Sequence, residues 1–209
     1  ALLRGEVHRA TSSRIDPGGK GVNVSRALAA QGADTIAVLP SGGPEGHLMD
    51  ELLDSAGVAR RSVPVAGSLR MNISVLEPDG TTTKLNEPGP QLSPAEADAL
   101  LTATLDAADG ASWVVACGSL PPGVPATMYA DLVTRVRERG IRVAVDSSGH
   151  PLPLAVAARP SLIKPNHEEL AELVGHPLPT LGDVHAAARE LVTDGIEIVN
   201  ITDEDEYFP

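Results

Sequence analysis

Apolar residues follow two periods that alternate along this chain. Short apolar runs predict buried strands at residues 35–39, 113–117, 141–145, 161–163 and 197–199. Helical spacing of apolar residues, together with capping and glycine signals, predicts helices at residues 22–31, 46–55, 94–108, 125–139, 167–174 and 182–193. Strands that alternate with helices are typical of an α/β protein, here a doubly wound, mostly parallel sheet with flanking helices.

One segment interrupts this alternation. Residues 71–76 and 81–85 have strand patterns and are joined by Glu77-Pro-Asp-Gly80, a turn sequence that predicts a β-hairpin. Because a hairpin cannot serve as a parallel crossover, we expect it to stand apart from the main sheet. The 209 residues contain no internal repeat and no linker within the alternating region, which predicts one domain over 1–209 with an acidic tail at 201–209.

Composition excludes several classes of function. The net charge of −12 argues against nucleic-acid and anionic-membrane binding, which require clustered positive charge. A single cysteine, Cys117, excludes an internal disulfide and a multi-thiolate metal site. No apolar run approaches the roughly 18 residues of a membrane span. We therefore expect a cytoplasmic protein that binds neither nucleic acid nor membrane.

The strongest local signal is the segment Asp16-Pro-Gly-Gly-Lys-Gly-Val-Asn23, which precedes a predicted helix. Glycines allow the backbone to approach a ligand, the lysine adds a positive charge, and the helix start offers free N–H groups. It is not a Walker A loop, because Arg14 replaces the required glycine and Gly21 replaces the Ser or Thr. The segment predicts an anionic or polyhydroxy ligand, and a plain glycine turn is the alternative.

Several motifs in this order resemble the ribokinase-like (PfkB) carbohydrate kinases over residues 5–195. The motifs are Gly18-Gly-Lys-Gly-Val-Asn23, Ser41-Gly-Gly-Pro-Glu-Gly46, Gly118-Ser-Leu-Pro-Pro-Gly123, Asp146-Ser-Ser-Gly149 and Lys164-Pro-Asn-His-Glu-Glu-Leu170. Within the family the sequence is most similar to phosphosugar kinases. The resemblance implies ATP-dependent, Mg²⁺-assisted phosphorylation of a ketohexose phosphate: fructose 1-phosphate, fructose 6-phosphate or tagatose 6-phosphate.

The resemblance also implies roles for residues on the sugar side of the site. Gly18, Gly19 and Asn23 would lie against the sugar, with Lys20 and Arg70 near its existing phosphate. Two cations suit a doubly charged group, and arginine can bind it through two nitrogens. Ser119, in the turn after a predicted strand, would also face the sugar.

On the nucleotide side, the resemblance implies that Lys164 and Asn166 line the phosphates of ATP. Glu169 would act on Mg²⁺ through water, which suits an ion that keeps several waters. Each residue also has an ordinary alternative, since Asn166 could cap a helix and Glu169 could be a solvated helix residue.

The family's β lid over the sugar would correspond to segments 5–17 and 68–88, which include Lys84. In the family this lid often makes a dimer contact, so a homodimer through the lid is an expected partner arrangement. A solvated strand lysine is the alternative for Lys84.

Two family motifs do not occur in these 209 residues. One is an initial Asn-Pro-x-x-Asp-like strand, and the other is Gly-Ala-Gly-Asp, whose aspartate acts as the base. We therefore assign no catalytic residue and expect a fold that is incomplete at both ends. A kinase for an unphosphorylated sugar or a nucleoside, and a truncated, non-catalytic sugar-phosphate-binding module, are the alternatives.

Overall fold

The structure is a computed structural model and describes residues 2–202, which form eight strands and seven helices. The strands are β1 (Ile36–Ser41), β2 (Ala59–Pro64), β3 (Asn72–Leu76), β4 (Thr82–Asn86), β5 (Trp113–Cys117), β6 (Arg142–Asp146), β7 (Leu162–Ile163) and β8 (Ile198–Val199). The helices are α1 (Lys20–Ala30), α2 (Gly43–Ser55), α3 (Pro94–Ala107), α4 (Met128–Glu138), α5 (Pro151–Ala157), α6 (His167–Val174) and α7 (Leu181–Thr193).

Two groups of parallel strands carry the helices. Strands β5-β6-β7-β8 form one four-stranded parallel sheet, and β1 and β2 form a separate parallel pair. Right-handed crossovers through helices are the usual connection between parallel strands, which explains why strands and helices alternate along most of the sequence. The predicted parallel α/β architecture is confirmed, although its strands are hydrogen-bonded in two groups instead of one.

A cleft of about 2210 Å³ runs between β1 and β5. Helix α1 packs against both strands and so connects the two groups. Apolar side chains on the cleft are unusually exposed, with Ile36 on β1 at 53% and Val115 on β5 at 40%. One end of this cleft is formed by the glycine-rich segment that precedes α1.

The apolar core is divided among these groups. The largest cluster joins α3 and α4 to β5 and β6 and includes Val133, Val136, Val143 and Val145, none of which is exposed. A second cluster packs α6 and α7 under β7, and a third packs α1 and α2 on β1. Branched aliphatic residues fill all three, as expected for a chain with very few aromatic residues.

Two elements were not predicted from the sequence. Strand β2 carries Arg60 and Arg61 and has a single buried residue, Val63, so it lacks the apolar run of a buried strand. Helix α5 is seven residues long and contains Pro151 and Pro153 within its first turn, where proline is tolerated. Both elements owe their stability to tertiary contacts that a local pattern does not show.

The hairpin prediction is confirmed, since β3 and β4 form a separate antiparallel pair. The other expected lid segment, residues 5–17, contains no strand in the structure. A strand requires a hydrogen-bonding neighbour, and the edge positions of β3–β4 are not paired with this segment. Within residues 2–202 no helix is long and apolar enough to cross a membrane. The acidic tail lies almost wholly outside the described residues.

Candidate functional site

Strand register brings three loops together at one edge of the four-stranded sheet. Cys117, the last residue of β5, is paired with Asp146, the last residue of β6. Val145 is paired with Ile163 on β7, so the next residue, Lys164, leaves the sheet beside Asp146. Ligands of parallel α/β sheets bind at this carboxyl edge, because loops and helix starts meet there.

An ion-pair cluster occupies this edge. Lys20 Nζ lies 2.9 Å from one carboxylate oxygen of Asp146, and Lys164 Nζ lies 3.7 Å from the other. The Asp146 side chain is only 17% exposed, whereas Lys20 is 49% and Lys164 is 37% exposed. Lys20 and Asp146, which are 126 positions apart, are thereby joined, and both lysine side chains remain partly exposed.

The start of α1 is open to an anion. Gly19 precedes the helix with φ of 108°, a conformation that L side chains rarely adopt. Within residues 2–202 no side chain caps this end of α1, its first turn holds no acidic residue, and a Cβ at Gly18 or Gly19 would meet no described atom within 4 Å. The free N–H groups and the positive end of the helix dipole therefore favour a negatively charged ligand here.

The predicted sugar-side residues separate into two groups. Gly18, Gly19, Lys20, Arg70 and Ser119 all line the cleft, and the side chains of Arg70 and Ser119 are exposed. Asn23, in contrast, is exposed toward a separate groove that also contains Arg26 and Gly57. The geometry of α1 explains this, because one stripe of the helix, which includes Gly21, Val24 and Leu28, borders the cleft, whereas Asn23 lies on the other stripe with Arg26 and Ala30.

The start of α6 is closed by its own side chains. Asn166 Oδ1 accepts the N–H of Glu169 at 2.7 Å, and Glu169 Oε2 accepts the N–H of Asn166 at 2.9 Å. This reciprocal capping box satisfies two helix N–H groups and gives both residues a structural task. Just before it, Lys164 Nζ donates to Thr202 Oγ1 at 3.1 Å.

Asp146 was not among the site residues predicted from the sequence, although it begins one of the motifs, Asp146-Ser-Ser-Gly149. The signal was present, since an aspartate that directly follows an apolar run in a parallel α/β pattern lies at the ligand edge. What the sequence did not show was the convergence of two distant lysines on one carboxylate.

The thiol of Cys117 lies close to the ion-pair cluster of Lys20, Asp146 and Lys164. Burial, and then the Asp146 carboxylate, raise the pKa of Cys117 to about 11, while Lys20 and Lys164 partly oppose them. A neutral, half-buried thiol with such a pKa is a poor nucleophile, which agrees with a packing role.

Known proteins that are similar to this chain include carbohydrate kinases. The family model of the pfkB family carbohydrate kinases matches residues 1–206. The 1-phosphofructokinase of Rhodobacter capsulatus is 39% identical over 198 residues, which cover 94% of this chain and 63% of that protein. The ATP-dependent 6-phosphofructokinase isozyme 2 of Escherichia coli is 37% identical over 189 residues, or 90% of this chain and 61% of that protein. This chain thus spans less than two thirds of the curated relatives it matches.

Solved structures agree with the sequence relatives. Phosphofructokinase-2 from Escherichia coli in complex with fructose-6-phosphate superposes with a TM-score of 0.89 at 33% identity, covering 97% of this chain and 68% of that one. A possible 1-phosphofructokinase from Thermotoga maritima gives 0.87 at 28% identity, covering 97% and 66%. On the strength of the family match and these relatives, the chain belongs to the pfkB family of carbohydrate kinases.

Proposed function

We propose that this chain provides the substrate-binding part of an ATP-dependent kinase whose acceptor is a ketohexose phosphate. The observation that carries the proposal is the convergence of Lys20 and Lys164 on Asp146, beside the uncapped start of α1. Fructose 1-phosphate, fructose 6-phosphate and tagatose 6-phosphate are the candidate acceptors. The names of the relatives support this substrate class.

The phosphate already present on the sugar is expected to lie between Lys20, Arg70 and the first turn of α1. All three groups border the same cleft, and together they supply two cations and several N–H donors. A phosphate dianion needs this density of donors, because desolvating it without compensation is costly. Gly18, Gly19 and Ser119 then border the sugar ring, whereas Asn23 faces another groove and is the weakest member of the set.

Lys164 is expected to face the transferred phosphate group of ATP. The ammonium group of Lys164 pairs with one carboxylate oxygen of Asp146, and that of Lys20 pairs with the other. We therefore expect each lysine to bind a different phosphate group, one on either side of the carboxylate. Phosphoryl transfer depends mainly on such positioning and charge stabilisation. Asn166 contributes through the loop geometry that its cap fixes.

Mg²⁺ fits this edge only as an ion held chiefly by the nucleotide. Among residues 2–202 no group of three or more acidic, histidine or cysteine side chains could hold a metal. Glu169 uses one carboxylate oxygen in the capping box, which leaves the other for a water ligand of the ion. When bound with ATP, Mg²⁺ supplies neutralisation of the phosphate charge.

A panel of acceptors tests the proposal. Isothermal titration of the chain with the three ketohexose phosphates, with fructose and with a nucleoside separates the candidate classes. We expect binding of at least one sugar phosphate and no measurable binding of fructose or the nucleoside. Equal binding of fructose and its phosphate would favour a kinase for an unphosphorylated sugar and would overturn the phosphate assignment.

The hairpin is expected to contribute a dimer contact. Ile73, Leu76 and Leu85 on β3–β4 are 46%, 74% and 56% exposed, an unusual apolar density for two short strands. A related phosphofructokinase-2 has been described in a tetrameric form. Sedimentation velocity of the chain and of Leu85→Asp tests the contact, since the substitution should shift a dimer to monomer and a monomeric wild type would contradict it.

A further inference from the structure

The peptide that ends β5 is held by more hydrogen bonds than an ordinary strand exit. Tyr129 Oη shares its one proton between the carbonyl oxygens of Gly118 at 3.0 Å and Cys117 at 3.2 Å. Ser147 Oγ donates to the same Gly118 oxygen at 3.2 Å, and the Gly118 N–H donates to the Asp146 carbonyl at 2.8 Å. The backbone of Gly118 is thus fixed at both its N–H and its carbonyl.

The two hydroxyl donors differ in their burial. Ser147 is 1% exposed, whereas Tyr129 is partly buried: its ring packs against the core cluster that joins α4 to β5 and β6 and also borders the cleft. Burial raises the pKa of Tyr129 well above its usual range, so its hydroxyl keeps its proton and remains a donor. A buried tyrosine hydroxyl needs an acceptor, but a core carbonyl elsewhere would serve equally well for stability alone.

The carbonyl of Gly118 lies in the turn that leads into the cleft wall. Gly118 has φ of 92°, and the next residue, Ser119, lines the cleft that also contains Lys20 and Arg70. Cys117 Cβ lies 4.0 Å from where a Cβ on Gly21 would be, so the end of β5 also contacts the first turn of α1. The direction of the Gly118–Ser119 turn therefore sets one wall of the sugar side.

We propose that Tyr129 and Ser147 are positioning residues, whose shared hydrogen bonds to Gly118 hold the turn that carries Ser119 against the ligand. Neither side chain needs to touch substrate for this role. The consequence for sugar-phosphate binding rests on the proposed function, whereas the effect on the turn does not.

Cys117 makes the turn directly observable, because it is the only thiol in the sequence and adjoins Gly118. The experiment compares the rate of methanethiosulfonate modification of Cys117 in wild type, Tyr129→Phe and Ser147→Ala, without urea and at low urea. Loss of one neutral hydrogen bond should accelerate modification about fivefold in Tyr129→Phe, with a smaller increase in Ser147→Ala. The acceleration should not depend on urea, as expected for a local opening.

A core substitution in the same helix provides the matched control. Val136→Ala removes buried volume from the same cluster but leaves every hydrogen bond of Gly118 in place. It should lower the urea midpoint without accelerating modification in the absence of urea. Equal rates in wild type and Tyr129→Phe, or an acceleration that Val136→Ala reproduces, would overturn the positioning role and leave a purely structural one.

Ligand binding gives a second, separable readout. Tyr129→Phe should weaken binding of the sugar phosphate that the wild type binds, by about fivefold, and leave ATP binding unchanged. Equal weakening of both ligands would contradict a role at the sugar side. If the wild type binds no sugar phosphate, the proposed function fails, while the modification rates still decide whether Tyr129 holds the turn.

Discussion

Helices α1 and α6 begin at the same edge of the molecule, yet their first turns are built in opposite ways. Helix α1 follows glycines, carries no acidic residue in its first turn and receives no cap from any side chain that the structure describes. Helix α6 begins with a complete capping box and has Glu168 and Glu169 in its first turn. The first helix start therefore offers N–H groups to a ligand, whereas at the second the capping box occupies the N–H groups of Asn166 and Glu169.

This difference between the helix starts distinguishes the roles of the Lys20 and Lys164 motifs. Both motifs place a lysine near a helix start, Lys20 as the first residue of α1 and Lys164 two residues before the N-cap of α6, and both lysines approach Asp146. At α1 the helix dipole adds to the lysine charge, while at α6 the two glutamates oppose an anion at the helix end. We infer that α1 binds phosphate through lysine and backbone together, and that the α6 side acts through Lys164 with a rigid capped loop behind it.

The largest expected effect comes from removing the lysine at the open helix start. Lys20→Ala should weaken sugar-phosphate binding by about 10- to 100-fold, because one charge-assisted hydrogen bond to phosphate is lost. Binding of ATP should change far less. Titration calorimetry with both ligands measures this split, and Arg135→Ala, an exposed cation on α4 outside the cleft, is the control. Equal losses for both ligands would remove the distinction between the two helix starts.

Removing the cap of α6 should lower the stability of the protein. Asn166→Ala should lower the free energy of unfolding by about 1 kcal/mol through loss of the cap, measured by urea unfolding. Asn166→Asp keeps an acceptor for the Glu169 N–H and should remain near wild-type stability. If the aspartate variant also keeps its ATP affinity, Asn166 acts as a cap, whereas a stable variant with weak ATP binding would show direct contact with the nucleotide.

Asp146 pairs with both Lys20 and Lys164, so removing its charge should change anion binding at both lysines. Asp146→Asn removes a carboxylate that repels anions, and we expect inorganic phosphate to bind roughly threefold more tightly. The preference for a sugar phosphate over inorganic phosphate should fall, because Lys20 loses the partner that orients it. Competition titrations measure both quantities, and an unchanged preference would show that Asp146 does not orient Lys20.

The stability of the protein should also depend on alkaline pH, through the thiol beneath the start of α1. The thiol of Cys117 ionises near 11 in the folded protein, against a usual 9.0, so its pKa is raised by folding. Between these values the unfolded chain binds fewer protons, and stability should fall as pH rises from about 9 to about 11. The raised pKa of Tyr129 acts in the same direction at higher pH.

Urea midpoints at pH 8 and pH 10.5 measure this dependence. Cys117→Ala should show a smaller fall between the two values, because alanine does not ionise. An identical fall in both proteins would mean that other groups carry the alkaline dependence.

Local patterns predicted most of the fold. Alternation of apolar runs and helical stretches located six of the seven helices, all three parallel strands next to the site, and the hairpin. The exceptions have physical reasons: β2 is stabilised by charged contacts such as Arg60 with Asp50, and α5 is short and rich in proline. Whether the parallel strands form one sheet or two depends on hydrogen bonding between β1 and β5 across the cleft, and a local sequence pattern does not show which distant strands pair.

The site was predictable in part. Glycine and lysine motifs located Lys20 and Lys164, and their loops do reach one edge. Helical rotation turned Asn23 toward another groove, and a capping box engaged Asn166 and Glu169. Asp146 and Tyr129 act through contacts over 126 and 11 to 12 positions, which only the folded chain reveals.

Amide chemical shifts test the contrast between the two helix starts most directly. The chain has a mass of 21.6 kDa, which suits two-dimensional NMR of the ¹⁵N-labelled protein titrated with fructose 1-phosphate, fructose 6-phosphate or tagatose 6-phosphate. We predict large shifts at Gly19, Lys20 and Gly21 and small ones at His167 and Glu168. The largest shifts at His167 and Glu168, or no shift at α1 at saturating ligand, would contradict the assignment of the sugar phosphate to α1.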